Sequence, residues 1–235
     1  MQRNVPRLSD LELPFLLSVI AGSTDVIGFL GLNGLFTAHI TGNLVVLAAH
    51  VVAGNPAVLS YVLSVPIFML VLLLTRLFAA HLEHTGIATL RPLLLLQLIF
   101  LVGFLVLGVS GGALFQSQST LEITAGMCGV TAMAVQTALV QIALTHVPST
   151  AVMTTNITHF MLAVGQVVIA DSEAAAAQGR ARVIHLLPVI VGFTLGCALG
   201  AAGESAYGLW SLGLPAGLAL LLAVARVSSG VKAIE

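Results

Sequence analysis

Charged residues are scarce in this sequence. They occupy 7% of its 235 positions, whereas 58% of the residues are hydrophobic. A soluble protein has about a quarter of its residues charged, so this composition excludes a soluble globular domain and indicates an integral membrane protein. The formal net charge is only −1. The chain therefore lacks the basic field that nucleic-acid binding requires, and we expect no nucleic-acid partner.

Residues and motifs that hold metals, disulfides and nucleotides are also few. The two cysteines, Cys128 and Cys197, lie in apolar runs where a thiol packs as a small side chain, so we predict no disulfide. The seven histidines form no set of convergent ligands such as zinc needs. There is no phosphate-binding loop or dinucleotide fingerprint, and the segment around Ser205 lacks the pattern of a nucleophile turn. We therefore expect no metal, no cofactor and no enzymatic activity.

Long apolar runs, by contrast, are abundant. A helix needs roughly 20 apolar residues to cross a bilayer core about 30 Å thick. Six segments meet that length, at approximately 12 to 32, 57 to 77, 92 to 111, 122 to 145, 186 to 203 and 207 to 227. The sequence therefore predicts an all-α integral membrane protein with about six transmembrane helices, formed by a single membrane domain over residues 1–235.

The basic residues all fall on one side of such a topology. Cytoplasmic loops retain Lys and Arg in excess. With the N-terminus inside, the cytoplasmic side receives Arg3, Arg7, Arg76, Arg91, Arg180, Arg182, Arg226 and Lys232, which are all eight basic residues of the chain. The opposite side then receives none. We therefore predict that both termini lie in the cytoplasm.

Two connections, 33–55 and 147–185, are too long and too apolar to be ordinary loops. Each has an apolar stretch of about 10 to 14 residues, which suits a re-entrant or interfacial half-helix better than a full crossing. We expect residues 171–180 of the second connection to form a soluble loop. The alternative is that both half-helices cross fully, which would raise the number of spans from six to eight. That alternative would place Arg76 and Arg91 outside, against the charge rule.

A polar, helix-breaking segment occurs once in each connection. The first break segment is Thr37-Ala38-His39-Ile40-Thr41-Gly42-Asn43, and the second break segment is Thr150-Ala151-Val152-Met153-Thr154-Thr155-Asn156. An ungapped alignment that begins with Ala21 on Ala134 places Asn43 on Asn156. We infer two repeats, about 12–111 and about 122–227, each with three spans and one broken half-helix. Because three is odd, the second repeat would cross the membrane inverted, and such repeats place a solute site near the midplane at the broken helices.

Asp25 is the strongest candidate for chemistry. It lies about 14 residues into the first span, where burial of a carboxylate is costly and tends to mark an ion or proton path. Burial favours the neutral carboxylic acid, so reversible protonation would provide a means of coupling transport to a proton gradient. The structural alternative is that Asp25 caps the broken backbone around Gly42 or bonds to Ser23 and Thr24.

The two break segments supply the rest of the predicted solute site. The helix N-termini behind them would present free backbone N–H groups to an anion or a polar solute. Capping of the half-helices by Thr and Asn side chains is the alternative, and the two roles are compatible. The predicted substrate-binding or ion-binding residues are Asp25, Ser23, Thr24, Thr37, His39, Thr41, Gly42, Asn43, Gln136, Thr150, Thr154 and Asn156.

Three stretches of the chain resemble the YoaK-like family of bacterial multi-span membrane proteins. They are Ala21-Gly22-Ser23-Thr24-Asp25, Phe36 to Asn43, and Gln136-Thr137-Ala138. The resemblance implies a multi-pass protein of the bacterial inner (cytoplasmic) membrane, from a family without an assigned function. The second break segment has Thr155 where the first has Gly42. If that glycine supplies an unusual backbone angle, the second break is the less sharp one.

These observations favour a small-solute secondary transporter, an exporter or exchanger, with Asp25 as its proton-coupling group. A channel that uses the same re-entrant segments is one alternative, and a membrane enzyme or assembly protein without solute flux is another. Gly192, Gly196 and Gly200 form a small-residue face that either packs on another helix of the chain or builds a homodimer. The expected partners are the lipid bilayer and a small-molecule or ion solute, with a second copy of the chain as the partner only under the homodimer alternative, since packing within one chain is the commoner role of such a face.

Overall fold

The computed structural model of the protein describes residues 7–8, 12–54, 59–111 and 119–227, and this part is almost entirely helical. The helices are α1 (Glu12–Gly31), α2 (Ile40–Val52), α3 (Leu59–His84), α4 (Leu90–Gly111), α5 (Thr120–Ala143), α6 (Met153–Val168), α7 (Glu173–Tyr207) and α8 (Gly213–Val224). A 3-10 turn, Gly208–Leu212, joins α7 to α8. Two-residue strands, β1 (Arg7–Leu8) and β2 (Arg226–Val227), pair in parallel near the two ends of the chain.

Several of these helices are long and apolar enough to cross a membrane, as the sequence predicts. In the described residues, five helical runs qualify: Glu12–Gly31, Leu59–His84, Leu90–Gly111, Thr120–Ala143 and Glu173–Val224. The number is five and not six because α7, the 3-10 turn and α8 follow one another without an intervening loop. Gly208 changes the chain direction within that run at φ +58°, a backbone conformation that favours glycine.

The last part of that run returns along α1. Leu209, in the 3-10 turn, lies beside Gly31 and Gly108, at the ends of α1 and α4. At the other end of α8, Arg226 pairs with Arg7, which precedes α1. The helix α8 therefore runs antiparallel to α1, and it packs against both α1 and α4.

The two long connections contain the expected short helices, but one predicted loop is wrong. The helices α2 and α6 have 13 and 16 residues, fewer than the roughly 20 that a crossing needs. The predicted soluble loop 171–180 is largely helical, because α7 begins at Glu173. The Ser172 hydroxyl caps it by accepting the N–H of Ala175 at 3.3 Å, and four consecutive alanines at 174–177 favour the helix.

The centre of the protein is formed by α1 and α5. Of the residues in their candidate spans, 72% and 78% are buried, compared with 17% in α3 and 33% in α4. The exposed face of α3 is apolar, with Leu70, Leu73 and Leu77 each more than half exposed. Such a face suits contact with lipid tails. The polar residues of α1 and α5 are therefore shielded by the surrounding apolar helices.

The predicted glycine face of α7 packs on α1 within the chain. An added Cβ at Gly196 would lie 2.4 Å from the Val19 carbonyl oxygen, and one at Gly192 would lie 2.5 Å from the Phe15 carbonyl oxygen. The pairing of Phe15 with Gly192 and of Val19 with Gly196 shows that the two helices run parallel. Of the two roles proposed for this face, close packing inside one chain is the role that the structure displays.

Candidate functional site

The first break segment lies between α1 and α2. The helix α2 begins at Ile40, so Thr41, Gly42 and Asn43 lie in its first turn, and only residues 37–39 of the segment have a non-helical backbone. The N-cap residue is His39, and its side chain makes no capping hydrogen bond. The expectation that a Thr or Asn side chain occupies the N-cap is therefore wrong for this half-helix.

Asp25 supplies the hydrogen-bond acceptor for that non-helical backbone. Its Oδ1 atom accepts the backbone N–H groups of Thr37 at 2.8 Å, Ala38 at 2.6 Å and His39 at 3.3 Å. The side chain of Asp25 is almost fully buried, and a buried carboxylate is stable only with such partners. The N–H groups of the break itself are thus bonded to the protein's own carboxylate, and among the described residues Asp25 makes no hydrogen bond to the N–H groups in the first turn of α2. Asp25 therefore caps broken backbone, as the structural alternative predicts, but it bonds to residues 37–39 and not to the backbone around Gly42.

The second oxygen of Asp25 pairs with His39. The distance from Asp25 Oδ2 to His39 Nδ1 is 2.6 Å. The His39 side chain is 40% exposed, whereas the Asp25 side chain is 4% exposed. The rings of Phe36 and Phe193 lie near the imidazole, with centroids 6.0 Å and 5.6 Å away. The imidazole is therefore the more exposed member of this pair.

Asn43 joins the first turn of α2 to the preceding chain. Its amide nitrogen donates to the Phe36 carbonyl at 2.8 Å, and its Oδ1 accepts the Phe36 N–H at 2.9 Å. Gly42 provides space for this arrangement, since a Cβ there would lie 3.0 Å from the Phe36 ring. Gly42 does not have a positive φ. Its role is therefore steric, and the idea that it supplies an unusual backbone angle is wrong.

An amide, and not a carboxylate, holds the second break segment. The Gln136 side-chain nitrogen donates to the Leu17 carbonyl at 2.8 Å and to the Thr150 hydroxyl at 2.9 Å. The Gln136 side-chain oxygen accepts a hydrogen bond from Gln97 at 2.7 Å. Gln97, Gln136 and Thr150 are all fully or almost fully buried. This network is uncharged, and it connects α1, α4 and α5 to the second break segment.

The second break segment also repeats the asparagine contact of the first. Asn156 donates to the Ser149 carbonyl at 2.6 Å, seven residues earlier in the chain, and Asn43 contacts Phe36 at the same spacing. The helix α6 begins at Met153, and the side chain of its N-cap residue makes no capping hydrogen bond. The remaining predicted threonines, Thr41 and Thr154, are exposed on the surfaces of α2 and α6.

The predicted site residues form two clusters at different depths. Gln136 bonds to Leu17, eight residues before Asp25, which corresponds to about 12 Å along α1 at 1.5 Å per residue. Ser23 belongs to neither cluster through its hydroxyl, which bonds within α1 to the Val19 carbonyl at 2.7 Å. The first cluster contains Asp25, Thr37, His39 and Asn43, and the second contains Gln97, Gln136, Thr150 and Asn156.

Three buried polar atoms beside these clusters lack a hydrogen-bond partner among the described residues. They are Oγ of Ser18, Oγ1 of Thr24 and Oε1 of Gln97. Ser18 follows Leu17 in α1, Thr24 precedes Asp25, and Gln97 belongs to the second cluster, so the three residues are neighbours of the clusters in sequence or members of them. Buried polar atoms are normally paired, and unpaired ones mark positions where water, an ion or a solute can bind.

The sequence analysis missed Gln97 and gave Glu122 no site role. Gln97 is an isolated amide in a strongly apolar span, and such a residue commonly bonds to another helix, so this signal was available. Glu122 lies in the first turn of α5. It is 6% exposed and accepts a hydrogen bond from Asn33 at 2.6 Å, while the Tyr61 hydroxyl donates to the Asn33 carbonyl at 2.5 Å. These contacts are long-range, and no local pattern predicts them.

Comparison with known proteins identifies a family and assigns no function. No curated protein and no solved structure matches the chain. Residues 13–225 match the model of a family described as a protein of unknown function, DUF1275. The match extends from the beginning of α1 past the end of α8. It confirms the resemblance to the YoaK-like family, and the chain therefore belongs to the DUF1275 family of proteins of unknown function.

Proposed function

We propose that the protein is a secondary transporter of a small solute, an exporter or exchanger, and that the Asp25–His39 pair couples it to protons. The observation that carries this proposal is the position of Asp25. One buried carboxylate both holds the broken backbone at residues 37–39 and contacts a half-exposed imidazole. Ionisable residues inside spans commonly mark ion or proton paths.

Protonation of this pair would alter the contacts that hold α2. A charged carboxylate forms strong hydrogen bonds with N–H groups, and these weaken when the carboxylate becomes neutral. A proton that arrives through His39 and reaches Asp25 would therefore loosen Thr37, Ala38 and His39 from α1. The half-helix α2 follows these residues directly, so its position would respond to the proton. This is a physical link between a proton gradient and a conformational change.

The unpaired polar atoms support a solute path between the two clusters. The hydroxyls of Ser18 and Thr24 belong to the stretch of α1 between Leu17 and Asp25, and Gln97 bonds to Gln136. A solute or water that enters this region would find acceptors and donors that the described protein leaves unused. The two clusters would then be the ends of one path, with the outer cluster charged and the inner cluster neutral.

The pattern of helix contacts supports an inverted repeat. If α1, α2, α3 and α4 are exchanged with α5, α6, α7 and α8, the contacts of one half correspond to those of the other. The helix α1 packs on α7 as α5 packs on α3, α2 packs on α3 as α6 packs on α7, and α4 packs on α5 as α8 packs on α1. Such repeats are common in secondary transporters, where the site lies at broken helices.

The topology proposed for this transporter has six crossings, with both termini in the cytoplasm of a bacterial inner membrane. The return of α8 along α1 would turn the run Glu173–Val224 into two crossings. The eight basic residues then all lie on one side. Reaction of single cysteines with a membrane-impermeant thiol reagent, placed at Thr85 and Tyr207, tests this arrangement. Labelling of position 207 but not of position 85 in intact cells is expected, and the reverse result contradicts it.

Flux measurements in proteoliposomes test the function. A thermal-shift screen of the purified protein against amino acids, sugars, organic anions and organic cations first selects a solute. With an internal pH-sensitive dye, a gradient of that solute should then drive proton movement in the wild-type protein. Asp25→Asn and His39→Gln should reduce this movement to the level of protein-free liposomes. Glu83→Gln is a matched control, because Glu83 is an exposed carboxylate that pairs with Arg76, and it should leave the flux unchanged.

The same preparation distinguishes the alternatives. A carrier shows saturation, and unlabelled solute on the far side accelerates the efflux of labelled solute, whereas a channel shows neither effect. Absence of solute-dependent flux in every condition would favour a membrane enzyme or an assembly protein. If Asp25→Asn retains both the flux and its pH dependence, the carboxylate is structural only and the proposal of proton coupling fails.

A further inference from the structure

A cavity lined in part by basic residue types lies between α6 and α7, one helical turn along α6 from Asn156 of the second cluster. It has a volume of about 420 Å³ and is lined by His159, Leu162, Gln166, Arg182, His185 and Leu186, together with Ala163. Three of these side chains are basic or can become so, and no acidic side chain of the described residues lines it. Arg182 is the one residue of this lining that carries a permanent positive charge.

Arg182 has most of its hydrogen-bonding capacity unused. Among the described residues its guanidinium has one partner, Gln166 Oε1, at 3.4 Å. A guanidinium carries five N–H donors in a planar fork. The other nearby arginine, Arg180, differs because it pairs with Glu173 and does not line the cavity. Arg182 is thus a cation without a carboxylate partner in the described part of the chain.

His185 is held in place beside Arg182. Its Nε2 atom contacts the His146 carbonyl at 2.8 Å, so this nitrogen carries the hydrogen and Nδ1 remains available. His159 approaches the same cavity from α6. The cavity therefore combines one permanent cation with two imidazoles on facing helices, an arrangement suited to an oxyanion with several acceptor oxygens.

The register of α7 on α1 gives the depth of the cavity. Gly192 lies against Phe15, so Val189 is level with Glu12, where α1 begins. Arg182 and His185 precede Val189 by seven and four residues, which is about 10 Å and about 6 Å at 1.5 Å per residue. If α1 begins at the membrane surface, both side chains lie at the level of the lipid headgroups or just beyond it. The lining also contains the apolar residues Leu162, Ala163 and Leu186.

We propose that this cavity binds a phosphate group, through Arg182, His159 and His185. Phosphate offers tetrahedral acceptor oxygens to a guanidinium fork, and basic pockets between membrane helices bind the headgroups of anionic lipids. The source of the phosphate is an anionic phospholipid or a soluble phosphate. The apolar side of the cavity favours the lipid, because an acyl chain can lie along Leu162 and Leu186. The proposal is independent of solute transport.

Lipid binding to the purified full-length chain tests the site. Native mass spectrometry and thermal unfolding in a zwitterionic detergent would be measured with phosphatidylglycerol, with phosphatidylcholine and with inorganic phosphate. We expect phosphatidylglycerol to remain bound and to raise the wild-type melting temperature by about 5 to 10 °C at a hundredfold excess over Kd. Phosphatidylcholine should do neither. Arg182→Gln, and more strongly Arg182→Gln combined with His185→Gln, should lose most of this shift.

Arg180→Gln is the matched control, since it removes a positive charge two residues away on the same helix. It should retain the shift, and a loss equal to that of Arg182→Gln would overturn the site in favour of general surface charge. An equal effect of phosphatidylcholine would also overturn the proposal. A shift with inorganic phosphate that Arg182→Gln abolishes would support the same site with a soluble source. The melting temperature of each variant without lipid serves as the folding control, because Arg182 makes only one long hydrogen bond.

Discussion

The two break segments solve the same structural problem with different chemistry. Each follows a central helix, each leads into a short helix, and each has an asparagine that reaches back seven residues. In the first half a carboxylate from α1 holds the break, whereas in the second half a glutamine amide from α5 does so. Aspartate can gain or lose a proton and glutamine cannot. Of the two side chains that hold the breaks, only Asp25 can therefore respond to pH.

The two break segments also differ at the position before the asparagine, which is Gly42 in the first and Thr155 in the second. Gly42 leaves room for the Phe36 ring, which also lies beside His39, whereas the corresponding Thr155 is exposed on α6. The first break is therefore packed closely around its ionisable pair. The second break is stabilised mainly by buried amides on α4 and α5. Four sets of substitutions test this comparison, beginning with the set of largest expected effect.

Asp25→Ala should be the most destabilising change at either break. It leaves three N–H groups at residues 37–39 without their acceptor in a buried position, which should lower the free energy of unfolding by about 3 to 5 kcal/mol. Asp25→Asn retains an acceptor oxygen and should cost less. Urea unfolding in detergent micelles measures both. Equal losses for the two variants would show that the charge, and not the acceptor, stabilises the break.

Gln136→Leu should be the most destabilising change at the second break. It removes three hydrogen bonds and leaves Gln97 and Thr150 unpaired, at a cost of about 2 to 4 kcal/mol. Gln97→Leu in the same chain should recover part of the loss, because two apolar partners leave fewer polar groups unsatisfied. The pH dependence of flux should stay as in the wild type. A changed pH profile would contradict the assignment of proton coupling to the first half.

Asn43→Ala and Asn156→Ala form a matched pair. Asn43 makes two hydrogen bonds to Phe36 and Asn156 makes one to Ser149. We expect losses of about 2 kcal/mol and about 1 kcal/mol respectively, at about 1 kcal/mol for each bond. Thermal unfolding of the two variants under one set of conditions gives the ratio. A larger loss at Asn156 would show that the second break, and not the first, is the more tightly held.

His39→Gln should have the smallest effect on stability. The side chain is 40% exposed, and glutamine can still donate a hydrogen bond to Asp25, so we expect a change below about 1 kcal/mol. Its effect on function should be large, since the substitution removes the accessible proton-binding group. Solute flux measured between pH 5.5 and pH 8 should lose its dependence on pH. Retention of the wild-type pH profile would show that protons reach Asp25 by another route.

Local sequence chemistry predicted much of this architecture. Apolar runs identified the long helices, and polar residues within them identified Asp25 and Gln136. The start of α7 is predicted wrongly from the sequence. The first turns of this helix are rich in alanine and polar residues, and their low hydropathy is also typical of a loop. The separation into five runs and not six depends on Gly208, whose backbone angle joins two helices without the polar loop that marks other turns.

The candidate site could be predicted only in part. Asp25, Thr37 and His39 are close in sequence, and their grouping follows from the break that lies between them. The second cluster brings Gln136 to Leu17 across 119 positions and to Gln97 across 39. No local pattern determines such contacts, since they depend on which faces α1, α4 and α5 present to one another.

The sequence by itself determined that this is an apolar, multi-helix protein with two broken segments and a carboxylate near the first of them. Composition and local polarity are sufficient for this. Polar groups in the hydrocarbon region are costly, so a polar residue within an apolar span indicates a hydrogen-bonding or functional role. Only the tertiary structure decided that Asp25 bonds to the backbone of residues 37–39 and that an amide network takes the place of a carboxylate in the second half. It also decided that the glycines of α7 pack against α1. These outcomes depend on the parallel packing of α1 on α7 and on the depth at which α5 crosses them, and both are properties of the assembled helices.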